Sequence, residues 1–400
     1  MRSPLLALLL TAALLSGCLV EEADPATDAQ GIDPAPSPAG TQPAQQSVDP
    51  AKPDEPTPAA PHGTPQRTDS AVTSGTDPQG VPAAWARQSI TITNGFGAAT
   101  LGDLAASISA GSITVRAADR ADYLVEATLE ARAGTEADAR AVLERTHLDH
   151  SDTLDGSTLF LEDKVRIDPP ASPSPLPLPP GVLDLNVQEA TVRVDLVITV
   201  PLAPAIDLAA GASSGDIAAS DLHGPRLDLS TSSGAITVNV AAMDDVSASA
   251  SSGDVRLDTL TTPNLRVSTS SGDVAGSDLT VGSASVSTSS GDAVLKGTID
   301  SIDADSSSGD LSFEVAAAAS GKYAFDSSSG EVVLKVPADG AYAVEAGTSS
   351  GDITVDVPDA EVIEDEEDHV EVATEGYDDA DIQTAIDAST SSGDITVQAE

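Results

Sequence analysis

Read as a pattern of apolar and polar positions, the C-terminal half of the chain repeats itself. A phrase of Ser-Ser-Gly, followed in most copies by Asp and an aliphatic residue, places glycines at Gly215, Gly234, Gly253, Gly272, Gly291, Gly309, Gly330, Gly351 and Gly393. Successive gaps are 19, 19, 19, 19, 18, 21, 21 and 42 residues. The apolar positions keep phase with the phrase. Seven, five and three residues before the glycine stand sets such as Leu265-Val267-Thr269, Ile302-Ala304-Ser306 and Ile386-Ala388-Thr390. Two and four residues after it stand pairs such as Ile236 and Val238, Leu311 and Phe313, and Ile395 and Val397. Alternation with period two marks strands with one buried face, and a fixed period near twenty marks a solenoid. The predicted fold class is therefore all-β, a single-stranded parallel β-helix or β-solenoid with coils of 19–21 residues across 205–400. Inward side chains shrink towards the glycine, as in a coil tapering into a corner, and glycine there is expected to supply a φ that other residues resist. The doubled last gap predicts one coil whose phrase is lost or altered around Gly376.

Residues 88–204 read as an N-terminal β part of the same domain. Ser89-Ile90-Thr91-Ile92, Ser112-Ile113-Thr114-Val115, Tyr123–Ala127 and Val192–Val200 all alternate. One short helix is expected at about 135–146: Thr135 with Asp138 can cap its start, and Ala139, Val142 and Leu143 form its apolar stripe. Pro169 to Pro180 holds seven prolines in twelve residues, which predicts an excursion out of the sheet. Upstream, 18–87 is rich in Pro, Ala, Thr, Asp and Gln and cannot bury enough surface to offset the entropy of ordering it. It reads as a disordered tether with a mean span of roughly 45 Å. Trp85, the one tryptophan, stands at the junction and is expected to pack on the first strands.

The first 17 residues read as a lipoprotein signal peptide, with Arg2 followed by an apolar run from Leu5 to Leu15 too short to span a bilayer. Leu15-Ser16-Gly17-Cys18 resembles the lipobox of bacterial lipoproteins, which makes Cys18 the lipidation site and the membrane a partner through its acyl chains, palmitate among them. Two or more chains make such anchoring stable. Cys18 is the chain's single cysteine, so the mature protein is expected to have no disulfide, zinc cluster or thiol catalyst. Leu19, rather than Asp, follows it, which in a Gram-negative cell resembles an outer-membrane address.

Charge narrows the partners. Against 64 acidic residues stand 18 basic ones, a net charge of −46. Phosphate binding needs clustered Lys and Arg, so nucleic acid is excluded, while weak divalent cations and basic surfaces are favoured. The recurring acids Asp216, Asp254, Asp273, Asp292, Asp310, Glu331, Asp352 and Asp394, interrupted by Ala235, would form a ladder at coil spacing. A Ca²⁺ bridging neighbouring rungs is one reading; bonding to backbone N–H groups near the turn is the preferred one. The run Glu364-Asp365-Glu366-Glu367-Asp368 reads as a solvated loop. His62, His147, His150, His223 and His369 are scattered, and no phosphate loop, zinc-protease helix or nucleophile elbow occurs. No catalytic, cofactor or metal residue is predicted. A β-helical polysaccharide-active enzyme is the remote alternative, disfavoured because from Ile206 onward there are only six Lys or Arg and no Trp to hold sugars.

The phrase Ser349–Val355 and its copy Ser391–Val397, with the strand ending Ile198-Thr199-Val200-Pro201 and the segment Gly111–Val115, resemble a bacterial family of adhesin-like β-solenoid domains of unknown function. The resemblance spans about Ser89 to Glu400. It implies an exported or membrane-tethered solenoid. The expected function is a non-catalytic, lipid-anchored envelope or surface module that binds an unidentified protein or glycan. The alternative is a periplasmic or wall-facing structural or sensory scaffold. That scaffold would self-associate through the C-terminal coil, because Ile395-Thr396-Val397 lies three residues from the end with little left to cap it.

Overall fold

A computed structural model describes residues 66–68, 72–76, 82–93, 103–120, 123–146, 149–152, 158–162, 191–203, 205–366 and 368–400. The signal and lipobox with Cys18, together with His62, His147 and the Pro169–Pro180 excursion, lie outside the described residues. Strands β1 (Gln66–Thr68) and β2 (Val72–Thr76) run antiparallel to β3 (Pro82–Thr93). The sheet thus begins inside the stretch that composition assigns to the tether. Strand pairing uses backbone N–H and C=O groups and does not demand large apolar side chains, so composition is a poor guide to it. Trp85 lies in β3, in register with Arg132 of the neighbouring strand.

β4 (Asp103–Ala118) is the first rung of a parallel stack. β5 (Leu124–Ala133) pairs antiparallel with β3 and leads into α1 (Glu136–Arg145), which packs on both with Ala139 and Leu143 buried. Thr135 caps the helix: its Oγ1 accepts the Asp138 N–H at 3.2 Å and donates to the Asp138 carboxylate at 2.7 Å. β6 (Asp149–Asp152) and β7 (Thr158–Glu162) form a hairpin, and β8 (Thr191–Pro201) returns antiparallel to β5 and parallel to β4. The first half of β4 then lies between β7 and β9 (Asp207–Ser214), its second half between β8 and the first full coil.

The coils β10 (Ile217–Thr231), β11 (Ile236–Ala250), β12 (Val255–Thr269), β13 (Val274–Thr288) and β14 (Ala293–Ser306) stack parallel. Like positions sit over like: Ile217, Ile236, Val255, Val274 and Ala293 form one buried column, and Leu229, Ala248, Val267, Val286 and Ala304 another. The burial alternation slips phase twice per coil, so each coil has three inward faces where the sequence reading found two. The additional face buries Leu222, then Ala241 and Met243, Leu260 and Thr262, and Leu279 and Val281. Between the first and second faces the chain turns through a left-handed residue: Asp221, Val240, Thr259 and Asp278 have φ of 57°, 52°, 55° and 55°. The 18-residue coil is one residue short at this corner, where the register shifts and Gly297 takes φ 152°.

The C-terminal part departs from simple stacking. β15 (Leu311–Val315) and β16 (Gly321–Ser327) continue the first and third faces, and a T-shaped Phe313–Phe325 pair with centroids 5.1 Å apart fills the space between them. β17 (Val332–Val336) stacks on β15, but β18 (Ala341–Thr348) does not stack on β16, and β19 (Ile353–Asp356) does not stack on β17. The chain skips a level at Pro337–Gly340. After the antiparallel hairpin β20 (Ala360–Glu366) and β21 (His369–Thr374), laid on β18, the last two strands fill the gap. β22 (Gln383–Thr390) slots between β16 and β18, and β23 (Ile395–Ala399) between β17 and β19. The glycine column therefore runs Gly309, Gly330, Gly393, Gly351.

Two expectations are corrected. The C-terminal strand is an internal rung between β17 and β19, so the strand at the end of that face is β19 and not the last strand of the chain. The 42-residue gap holds a hairpin and a short 3-10 turn (Tyr377–Asp379) that bring the chain back to the vacant level. Gly376, φ 75°, opens that turn with nothing within 4 Å of its missing side chain, and it belongs to no coil.

Candidate interaction surface

The recurring phrase builds the corner between the third face of one coil and the first face of the next. Its glycines are required by crowding. A Cβ on Gly234, Gly253 or Gly272 would lie 1.8, 1.6 or 2.0 Å from the carbonyl oxygen of the glycine one rung away, and Gly393 and Gly351 repeat this at 2.0 and 2.1 Å. Among the described residues, positive φ at glycine is confined to Gly111, Gly297 and Gly376. The expectation that the phrase glycine supplies a φ other residues resist is corrected accordingly: in the coils such φ stands at the next corner, at Asp221, Val240, Thr259 and Asp278.

Two side chains complete the corner. Three residues before the glycine, a buried hydroxyl accepts its N–H: Thr269 from Gly272 at 3.0 Å, Ser306 from Gly309 at 2.8 Å, Ser327 from Gly330 at 2.9 Å. One residue after the glycine, the carboxylates of most rungs accept the N–H of the counterpart on the neighbouring rung. Asp254 takes that of Asp273, Asp273 that of Asp292, Asp292 that of Asp310, and Asp310 that of Glu331, at 2.8–3.0 Å. Asp394 takes the N–H of Asp352 across the threaded rung at 2.8 Å. One oxygen of each such carboxylate is thus engaged in binding coil to coil, through a charge-assisted bond of the stronger kind.

The outward side of the third face carries a graded surface. One row runs Asp228, Ser247, Arg266, Ser285, Asp303, Ala324, Asp387, Glu345, Glu371, Glu364. The row beside it begins with the serines Ser230, Ser249, Ser268 and Ser287 and continues through Asp305 and Asp326. Hydroxyls dominate at one end, where Ser268 donates to Ser249 at 3.1 Å, and carboxylates at the other. Burial, then the charges of Asp303 and Asp326, push the Asp305 carboxyl above its usual range. Lys322 meets Asp387 at 3.3 Å, and exposed Val362 and Ile363 edge the acidic end. The surface offers hydroxyls, carboxylates and an apolar margin for contact.

The acidic run Glu364–Asp368 is not a free loop. Glu364 to Glu366 belong to β20 and pair with β21, and Asp368 lies in a turn just before β21. His223 sits on the second face of β10, apart from His369 in β21. The second-face columns and the left-handed corner were missed by the sequence reading. The signal for the first was present in Leu222, Leu260 and Leu279, seven residues after Gly215, Gly253 and Gly272.

No curated protein matches the chain. Among solved structures it is similar to a candidate cell-adhesion protein from Clostridium sporogenes, at 7% identity and a TM-score of 0.22, covering 78% of this chain and 99% of that one. It is also similar to a candidate adhesin from Bacteroides fragilis, at 12% identity and a TM-score of 0.34, covering 77% and 96%. The family model described as Toastrack DUF4097 matches residues 103–398, the span from the first parallel rung to the inserted last strand, and the chain belongs to that family.

Proposed function

We propose that this protein is a lipid-anchored envelope module that works by contact and not by catalysis, held through Cys18 and binding a protein or glycan on its graded third face. One observation carries the reading. The repeated polar chemistry of the corner is engaged in holding coil to coil, while the third face presents a continuous hydroxyl-to-carboxylate surface to solvent. A stack of this kind supports an extended contact surface, which suits recognition. Protease treatment of intact cells, with a lysed control, tests exposure. Removal of a third-face epitope from intact cells supports a surface-binding role, and protection until lysis rejects it.

A second reading, a self-associating scaffold, rests on β19. Ile353 and Val355 are half-buried, whereas Ile395 and Val397 in the rung beneath are fully buried. A second copy pairing there would cover them. Sedimentation over a wide concentration range decides: a concentration-dependent mass abolished by Ile353→Asp supports it, and a constant monomer mass rejects it.

A further inference from the structure

The β20–β21 hairpin carries a side-chain cluster that no coil of the repeat contains. A bulge between Val362 and Glu364 shifts the register, so that Glu364 stands opposite Glu371. On its other side Glu371 stands opposite Glu345 of β18. Three glutamates therefore line up across three adjacent strands, and like charges directly opposite one another are unfavourable in a sheet. His369 precedes Glu371 by two residues and so shares its face. It lies against Gly347, whose absent side chain leaves the imidazole room: Nδ1 is 3.8 Å from where a Cβ would be. It is also the single basic side chain between Val336 and Glu400. One carboxylate oxygen each from Glu364 and Glu371 and one ring nitrogen of His369 all lie within 4.8 Å of one another.

We propose that Glu364, His369 and Glu371 form a binding site for a divalent transition metal, with Zn²⁺ the best match. One imidazole and two carboxylates make a donor set that suits Zn²⁺, whereas Ca²⁺ takes oxygen alone. Tetrahedral ligands at about 2.0–2.1 Å from a shared ion stand about 3.4 Å apart, so closure asks for adjustments of at most about 1.5 Å in side chains that are exposed or half-buried. The ion would also neutralise the facing glutamates. The corner aspartates are a poorer site, since one oxygen of each already accepts a backbone N–H and no nitrogen donor stands beside them. The hairpin lies on the last third-face strand, so metal would order the end of the stack.

The site stands independently of the proposed binding role. The test is calorimetric titration of the full chain with Zn²⁺ alone, in which one ion per chain is expected. His369→Ala and Glu364→Gln should each weaken binding at least tenfold, while Asp352→Asn leaves it unchanged. In the parent protein, Zn²⁺ should shift the NMR signals of the His369 ring, a readout that survives if a variant fails to fold. Absence of stoichiometric binding, equal affinity in His369→Ala, or a shift at another histidine would overturn the proposal.

Discussion

The coils from Ile217 to Ser306 and the strands from Leu311 to Glu400 are written in the same phrase yet are assembled differently. In the first region each phrase lifts the chain by one level, and sequence neighbours are spatial neighbours. In the second the chain skips a level at Pro337–Gly340 and fills it with its last strands. Identical local chemistry, a glycine pressed on a carbonyl and a carboxylate on an N–H, operates in both. The difference teaches that the phrase specifies how one rung sits on another without naming which rung. Column contacts of Val, Ile and Ala are alike enough that connection lengths settle the order.

The largest test of this contrast is removal of residues 383–400. If β22 and β23 formed an outer rung, their loss would shorten the stack and leave the rest intact. As an internal rung they bury Ile386, Ile395 and Val397, at about 1.5–3 kcal/mol each. The truncation is expected to release β18 to β21 as well, seen as proteolysis of that segment and a lost unfolding transition. Intact β18–β21 in the truncated chain would refute the threaded order. Next in size is Gly272→Ala, which drives a Cβ to 2.0 Å from the Gly253 oxygen. Overpacking costs about 1–3 kcal/mol, and a clash with rigid backbone belongs at the upper end, measured by denaturant unfolding. Gly376→Ala, with open space and a left-handed φ of 75°, should cost only about 1–2 kcal/mol.

The carboxylates give a finer contrast. Asp273→Ala strips the acceptor from the Asp292 N–H and should cost about 1–2 kcal/mol. Asp352 stands on the last rung, with no further rung for its carboxylate to serve, so Asp352→Ala should be close to neutral in the same measurement. The smallest effect is in pH dependence. The hydrogen bond from Arg256 holds the Asp258 carboxyl below its usual range, opposed by burial and aided by Ser277. Its stabilisation is present above the unfolded-state pKa and fades as pH falls through the lowered folded value. Asp305 has the opposite sign: its raised pKa favours the protonated folded state, so its contribution fades as pH rises through the carboxylate range. Asp258→Asn should flatten the loss of stability on acidification, and Asp305→Asn should stabilise slightly at neutral pH. Stability curves between pH 3 and pH 7 test both.

Much of the regular region was legible because its constraints are local. Period-two burial marks the first and third faces, and Thr135 with Asp138 marks the helix start. The second face escaped because it is short and its phase slips by one residue at each end, leaving pairs such as Ala241 and Met243 too brief to show alternation. The left-handed corner escaped because no glycine marks it: Val240 and Thr259 carry side chains that ordinarily avoid such φ, and the surrounding pairing imposes it. The cluster at His369 was hidden for a related reason. Glu364 meets Glu371 only through a bulge, and Gly347 approaches His369 from a strand more than twenty residues away.

By itself the sequence determined the all-β class, the coil length and the inward positions of two faces, since these follow from steric repeats of a few residues. The tertiary structure alone decided why the phrase glycines are glycines, which level the last strands occupy, and which acids come to face a histidine. Those outcomes depend on contacts between rungs, and residues distant along the chain become partners only when the stack is closed.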